Sequence, residues 1–225
     1  MSEIVGAVAW EEGIGQEMTF TIEGGPVGGI AMSGMDFGAM AGPTCIIDQA
    51  SMFDFYDGGG LDMTVLGLAE VNAKGDINVG RFGPKTPGCG GFINITQNTH
   101  KVFFCGTFTA GGLKVKVEDG KVVIAQEGKQ KKFLKDVEQI TFNGDIALQN
   151  KQEVMYITER CVFQLKEDGM HLTEIAPGID LQTQILDMMD FEPIVDRDAN
   201  GEIKLMDAKL FAEGLMGLKE MKEGC

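Results

Sequence analysis

Residues 18–29 read Met-Thr-Phe-Thr-Ile-Glu-Gly-Gly-Pro-Val-Gly-Gly, an apolar run that ends in an acid and a glycine loop. The run over residues 18–22 predicts a short buried strand. A charged side chain at the end of such a strand, followed by glycines, is a common binding-site layout in open α/β sheets, where ligands meet the carboxyl ends of strands. The pattern also fits an ordinary polar strand end, so Glu23 is a candidate that needs further support.

Glu23 has the properties that a nucleophilic carboxylate needs. A carboxylate at the mouth of an apolar strand is partly desolvated, which raises its reactivity, and carboxylates form covalent intermediates in several enzyme classes. The glycines that follow have no side chains and leave room for a bulky electrophile. We therefore expect a substrate-access loop that contains Gly24, Gly25, Gly28 and Gly29.

A second glycine loop reads Gly-Cys-Gly-Gly over residues 88–91. Successive glycines can direct their backbone N–H groups at one point, which suits a developing oxyanion or a phosphate; the alternative is a tight turn between strands. Cys89 invites a cysteine-nucleophile mechanism, but neither His100 nor His171 lies near it in sequence, and His171 is expected to be structural. No serine-hydrolase GxSxG motif, dinucleotide-binding GxGxxG motif or P-loop motif occurs in the sequence.

The composition disfavours several classes of function. The chain of 225 residues carries a formal net charge of -15, whereas nucleic-acid binding and anionic membrane surfaces both call for a basic patch. No apolar stretch approaches the roughly 18 residues of a membrane helix, and no basic region precedes the apolar run at the amino terminus. We expect no metal site, because the cysteines form no Cys-x-x-Cys pair, and their spacing fits reduced thiols in the cytoplasm. The five cysteines are Cys45, Cys89, Cys105, Cys161 and Cys225.

The first half of the chain predicts helices mixed with short strands. Residues 3–12 predict the end of an amphipathic helix that stops at Gly13. Residues 46–53 predict a strand or a turn, and residues 61–71 predict either a helix fragment or a buried strand. The continuous apolar run at residues 101–106 is typical of a central strand in a parallel sheet.

The second half predicts antiparallel structure. Residues 113–125 alternate around Asp119 and Gly120, which is a hairpin pattern, and residues 154–175 predict a strand meander. Asp180 is expected to cap a helix that runs to Met189. The lysine-rich stretch at residues 114–135 fits a solvated face, or else a contact to the phosphates of a nucleotide cofactor. The predicted fold is therefore α/β, an open and mostly parallel sheet with helices on both faces, plus an antiparallel region after residue 112.

Residues 20–29 and residues 88–92 carry motifs that resemble those of a known family. The first resembles the Val-Glu-Ser/Asn-Gly-x-x-Gly-Gly segment of the family I coenzyme A (CoA) transferases, and the second resembles their Gly-x-Gly-Gly-Phe loop. Further segments are similar to the branch that includes the propionate and acetate CoA-transferases, and they lie at residues 48–62, 104–109, 127–133 and 156–160. The resemblance covers nearly the whole chain. One departure is Gly24, which stands where the family usually has Ser or Asn.

The resemblance implies an enzyme that moves CoA between a short-chain acyl-CoA and a small carboxylic acid. Glu23 would form a covalent glutamyl-CoA thioester, so that CoA is both a substrate and part of an intermediate. The loop that would bind the oxyanion or CoA contains Gly88, Gly90 and Gly91, and no metal is implied.

The resemblance also implies a domain organisation. Residues 1–225 would form a single beta-type domain, without the usual first strand of that domain and without the amino-terminal alpha-type domain. The expected partner is an alpha-type half, either as a separate chain or as a missing segment, within an oligomer. Two alternatives stay open: a split or truncated half that is inactive alone, and an acyl-CoA thioester hydrolase on the same scaffold.

Overall fold

A seven-stranded sheet forms the centre of the protein. The computed structural model describes residues 2–36 and 38–223, so Cys225 lies outside the described residues. The helices are α1 (Ser2–Glu11), α2 (Gln49–Asp57), α3 (Phe92–Gln97), α4 (Gly144–Gln149), α5 (Leu181–Gln184) and α6 (Leu218–Glu223). Short 3-10 helices cover Gly15–Glu17, Gly34–Asp36, Leu186–Met188 and Ala208–Phe211.

The strands are mostly short. In chain order they are β1 (Pro26–Val27), β2 (Ile30–Ala31), β3 (Met40–Ala41), β4 (Cys45–Ile46), β5 (Met63–Gly67), β6 (Glu70–Val71), β7 (Ile77–Asn78), β8 (Lys101–Cys105), β9 (Thr109–Ala110), β10 (Lys114–Glu118), β11 (Lys121–Gln126), β12 (Gln130–Lys131), β13 (Glu153–Ile157), β14 (Cys161–Lys166), β15 (Gly169–Ile175), β16 (Ile194–Val195) and β17 (Lys204–Leu205).

The central sheet has the order β16-β15-β14-β13-β8-β5, and β17 also pairs with β15. Strand β8 lies between β5 and β13 and runs parallel to both. The pairs β13–β14 and β14–β15 are antiparallel, whereas β16 and β17 run parallel to β15. The predicted central strand and the mixed, mostly parallel α/β fold are both confirmed.

Aromatic side chains build much of the core beside β8. The ring of Phe104 is fully buried and stacks on Phe92 and Tyr156, with centroids 5.6 Å and 5.4 Å apart. Phe142 meets the same ring edge-on at 5.0 Å. Aromatic pairs of this kind each contribute about 0.5–1.5 kcal/mol beyond the burial of their area. Because Phe92 opens α3, this stack fixes the start of α3 against the carboxyl end of β8.

The hairpin and the meander form as the sequence predicts. Strands β10 and β11 pair antiparallel around Asp119 and Gly120, whose φ angles of 51° and 72° suit a two-residue hairpin turn. The run at residues 154–175 becomes β13, β14 and β15.

The predicted buried strand at residues 18–22 is wrong. Only Thr21 enters a bridge, with Val27, and Thr19 is exposed while the others are half-buried. The backbone instead folds back over the glycine turn, because the N–H of Ile22 donates to Pro26 O at 3.1 Å and that of Gly28 donates to Phe20 O at 2.8 Å. A local loop thus satisfies donors that a sheet ladder would otherwise use.

The prediction of a strand or turn at residues 46–53 misses a helix. After β4 the chain enters α2, whose N-cap is Asp48; its carboxylate accepts a hydrogen bond from the N–H of Ser51 at 3.0 Å. An Asp at this position is a helix-start signal, since it satisfies one of the unpaired N–H groups of the first turn. Residues 61–71, left open between two interpretations, contain β5.

Asp180 caps a helix as predicted, but that helix ends at Gln184 and not at Met189. The carbonyl of Gln184 accepts a hydrogen bond from the guanidinium of Arg160 at 2.9 Å. Ile185 then departs from helical geometry, with φ −123° and ψ −69°, and its side chain is fully buried. Tertiary contacts at these two residues therefore override the local helix pattern.

Candidate active site

The carboxylate of Glu23 lies directly against the backbone of Gly91. A Cβ atom added to Gly91 would stand 2.8 Å from Glu23 Cδ and 2.9 Å from Glu23 Oε2. Both distances are shorter than Cβ atoms tolerate, so a side chain at position 91 would displace the Glu23 carboxylate. The structure thus brings together the two glycine loops that the sequence singles out.

A tight turn holds Glu23 in place. The N–H of Gly25 donates to Ile22 O at 2.9 Å, and Gly25 adopts a φ of 113°, which favours glycine. The N–H of Ile47 donates to Gly25 O at 3.0 Å, and β1 pairs with β4 immediately beyond. Since α2 starts three residues after β4, the turn that carries Glu23 is tied to the start of that helix.

The structure offers a packing reason for three of the four glycines in the predicted substrate-access loop. A Cβ on Gly25 would lie 1.9 Å from Ile47 O, one on Gly28 would lie 2.5 Å from Thr44 Oγ1, and one on Gly29 would lie 2.5 Å from Ala41 O. These glycines make room for the protein's own chain. Only Gly24 faces open space, with nothing within 4 Å of its Cβ position, so a role in substrate access stays a prediction that fits Gly24 best.

The second loop places backbone N–H groups at the start of α3. Gly88 and Gly90 have φ angles of 84° and 53°, and Gly91 is the N-cap of the helix. Within the described part of the chain, no hydrogen-bond acceptor is bonded to the N–H of Gly90 or of Gly91. Free donors beside a carboxylate suit a site that stabilises developing negative charge.

Two aromatic residues of α2 complete the surroundings of Glu23. The ring edge of Phe53 lies 2.9 Å from the same Cβ position on Gly91. Tyr56 is 2% exposed and donates a hydrogen bond to Thr21 Oγ1 at 2.9 Å. Burial raises the pKa of Tyr56, the hydrogen bond to Thr21 lowers it, and the charge of Glu23 raises it further. Both rings belong to the family-like segment at residues 48–62, but no pattern in the sequence indicates that they lie beside Glu23.

The remaining candidates, Cys89 and His171, have structural contacts of their own. Cys89 is half-buried and packs against the main core. Both ring nitrogens of His171 are engaged by carboxylates, Nδ1 by Asp196 at 2.6 Å and Nε2 by Asp168 at 2.8 Å. This arrangement agrees with the structural role expected for His171.

Three of the family-like segments meet around Arg160 and not around Glu23. Arg160 is fully buried and forms two hydrogen bonds to the carboxylate of Glu127, at 2.8 Å and 2.7 Å, and one to Glu159 at 2.8 Å. Burial opposes ionisation of Glu127, but hydrogen bonds from Arg160, Thr109 and the N–H of Gly128 outweigh it and lower the pKa of Glu127 to about 2. These three segments therefore have a structural role around Arg160.

The lysine-rich stretch contributes to the same region. Lys132 is buried and donates to Thr107 O at 2.7 Å, while Lys131 pairs with Asp190 at 2.9 Å. Burial lowers the pKa of Lys132 to about 8, against an opposing effect of Glu159. The expected solvated face is thus wrong for Lys132.

Two other features are absent from residues 2–36 and 38–223. No group of three or more His, Cys, Asp or Glu side chains in these residues could hold a metal ion. No helix among them is long and apolar enough to cross a membrane.

Comparison with known proteins identifies the family. No protein-family model matches the chain. It is 51% identical over 213 residues, or 95% of its length, to acetate CoA-transferase YdiF of Escherichia coli (strain K12), and 49% identical over 219 residues to caffeate CoA-transferase of Acetobacterium woodii. This chain belongs to the CoA-transferase family. The matches cover 39% and 41% of these two relatives, so the chain spans about two fifths of their length.

Solved structures agree with this membership. The YdiF apoenzyme from Escherichia coli O157:H7 matches with a TM-score of 0.88 and 51% identity, covering 95% of this chain and 40% of that chain. A thioester complex of YdiF with CoA gives the same TM-score. The decarboxylase AibA/AibB, at 16% identity and a TM-score of 0.66, shares the fold alone. The CoA-transferase fold expected from the sequence is confirmed.

Proposed function

We propose that this chain carries the nucleophilic glutamate of a CoA-transferase that acts on a short-chain acyl-CoA and a small carboxylic acid, of the propionate/acetate type. The contact between the Glu23 carboxylate and Gly91 is the observation that supports this most directly. It joins a half-buried carboxylate to a loop with free N–H groups, the two parts that acyl transfer through a covalent intermediate requires. The CoA thioester complex of the related YdiF is consistent with it.

The reaction proceeds through two covalent intermediates. A Glu23 oxygen attacks the thioester carbonyl carbon, the C–S bond breaks, and CoA leaves as a thiolate with an acyl–glutamyl anhydride left behind. The thiolate then attacks the glutamyl carbonyl carbon, the first acid leaves as a carboxylate, and a glutamyl-CoA thioester remains. A second carboxylate reverses both steps and leaves as the new acyl-CoA. A thioester has a good leaving group, so a carboxylate is a sufficient nucleophile.

The loop of residues 88–91 stabilises the negative charge that develops during each attack. Each attack creates a tetrahedral centre with a negatively charged oxygen, and the N–H groups of Gly90 and Gly91 lie at the start of α3, where the helix dipole also favours negative charge. One such donor is worth about 3 kcal/mol in comparable sites. Gly24, which follows Glu23 in the chain, faces open space and so leaves room for the entering thioester.

The complete enzyme includes an alpha-type half. The chain spans about two fifths of its curated relatives, so the remaining part of the site is supplied by a separate chain or by a segment of the same protein. Full transfer activity therefore requires both halves, in an oligomer.

A mass spectrum after incubation with acetyl-CoA tests the nucleophile. We expect a CoA adduct on the peptide that contains Glu23, in the presence of the alpha-type half. The variant Glu23→Gln keeps the shape of the side chain but removes the nucleophile, so both the adduct and acyl-CoA exchange should be lost. The variant Glu118→Gln is a matched control on the exposed hairpin strand β10 and should retain both.

Two results would contradict the proposal. Acyl-CoA exchange at the parental rate in Glu23→Gln would remove Glu23 from the mechanism. Release of free CoA without any acceptor acid, at the rate of transfer, would identify a thioester hydrolase, in which water intercepts the covalent intermediate.

A further inference from the structure

The ring of Phe53 lies beside the nucleophilic carboxylate. The Cβ position on Gly91 stands 2.9 Å from Phe53 Cε1 and 2.9 Å from Glu23 Oε2. Because both distances start at one point, the ring edge lies no farther than twice 2.9 Å from the carboxylate oxygen. An acyl group bound to that oxygen therefore has Gly91 on one side and the Phe53 ring within reach.

Several contacts hold Phe53 still. It packs against a small core cluster of Met52, Tyr56 and Ile95. Its ring meets that of Tyr56 edge-on, with centroids 5.9 Å apart and planes at 66°. Tyr56 is itself buried and hydrogen-bonded to Thr21, two residues before the nucleophile. A ring supported in this way acts as a wall and not as a movable gate.

We propose that Phe53 is a specificity-determining residue that limits the size of the acid whose acyl group is carried by Glu23. The inference rests on the proposed function, since it needs the acyl–glutamyl anhydride. An acid with a short alkyl group can lie beside the ring edge, whereas each further methylene has to displace a supported aromatic side chain. Apolar pockets discriminate by roughly 10–200-fold per methylene, so one residue can set the preference.

The variant Phe53→Ala tests whether the ring limits the size of the acyl group. The rate of adduct formation on Glu23 is measured in the two-half enzyme with acetyl-CoA and with hexanoyl-CoA. We expect the hexanoyl-to-acetyl rate ratio to rise by roughly 10-fold or more, because the space of the ring becomes available to the chain. Phe53→Leu keeps an apolar side chain of intermediate size and should give an intermediate ratio.

Phe55→Ala is the matched control. Phe55 lies on the same helix and is also aromatic, but it is 45% exposed. Its removal should leave the hexanoyl-to-acetyl ratio at the parental value, although stability falls somewhat. Circular dichroism melting of each variant checks that the fold is retained, and Phe53→Leu supplies the test if Phe53→Ala does not fold.

The outcomes separate the two proposals. A parental protein that forms no adduct on Glu23 would contradict the proposed function itself. A parental protein that forms the adduct, with folded Phe53 variants whose chain-length ratio stays within threefold of the parental ratio, would overturn the role of Phe53 alone. A ratio that rises equally in Phe55→Ala would also overturn it, since the effect would then belong to the helix and not to the wall.

Discussion

A hydrogen bond between two hydroxyl groups, those of Tyr56 and Thr21, lies close to Glu23 in the chain. Tyr56 donates to Thr21 Oγ1 at 2.9 Å, and Thr21 lies two residues before Glu23. This bond links α2 to the residues that present the carboxylate. Because burial and the nearby Glu23 charge both raise the pKa of Tyr56, its hydroxyl stays a donor throughout the neutral pH range.

Removal of this hydrogen bond should affect stability and chemistry together. We expect Tyr56→Phe to lower the free energy of unfolding by about 0.5–1.5 kcal/mol and to slow adduct formation on Glu23. Thr21→Val removes the other partner and should have a similar effect. Since both variants break one bond, the double variant should cost less than the two single changes added together. Urea unfolding and the rate of adduct formation are measured for the parent, both single variants and the double variant. Strictly additive effects on both quantities would show that the hydrogen bond has no role.

At the scale of elements, the turn between Thr21 and β1 determines how the two glycine loops meet. Its backbone passes so close to β4 that a Cβ on Gly25 would stand 1.9 Å from Ile47 O. The neighbouring Gly24 has no such contact, with nothing within 4 Å. Two adjacent glycines therefore have different physical reasons to be glycine.

Substitution of each glycine by alanine distinguishes these two cases. Gly25→Ala has to move β4 and the start of α2, and it also strains a φ of 113°, so we expect the free energy of unfolding to fall by roughly 1–3 kcal/mol. Gly24→Ala is the control and should stay within about 0.5 kcal/mol of the parent. Chemical denaturation of both variants gives the comparison. Equal stability of the two would show that the close approach to Ile47 is relaxed at no cost in solution.

Sequence patterns predict the elements that depend on near neighbours. The Asp119–Gly120 turn and the apolar run of β8 are specified locally, and both form as expected. The run at residues 18–22 has the same apolar character as a strand, yet its backbone is satisfied by the glycine turn. The family resemblance suggests that Glu23 lies near Gly91, whereas the proximity of Phe53 depends on α2, a helix that the apolar pattern does not indicate. Periodicity contains no information on which distant residues meet.

At the scale of the whole molecule, the ionic cluster around Arg160 connects segments that are distant in the chain. Its guanidinium joins the loop before β12, the turn between β13 and β14, and the end of α5, through Glu127, Glu159 and Gln184 O. The same guanidinium also lies over the ring of Phe108, with Arg160 Cζ 5.0 Å from the ring centroid. A buried cation of this kind stabilises the fold only while its carboxylate partners are charged.

Acid should therefore weaken this side of the molecule in a defined pH range. The pKa of Glu127 is lowered from 4.5 to about 2 in the folded protein, so its stabilising contribution is complete above pH 4.5 and is lost as the pH falls toward 2. We expect Glu127→Gln to lower the free energy of unfolding at pH 7 by about 2 kcal/mol, the value of a hydrogen bond to a charged group. The difference between variant and parent should shrink from pH 4.5 downward, as the parent protonates Glu127. Urea unfolding of both proteins across this pH range measures the difference in their free energies of unfolding. Effects of the overall charge that both proteins share cancel in this difference. A variant whose deficit is constant down to pH 2 would show that the Glu127 carboxylate is not the group that responds to acid.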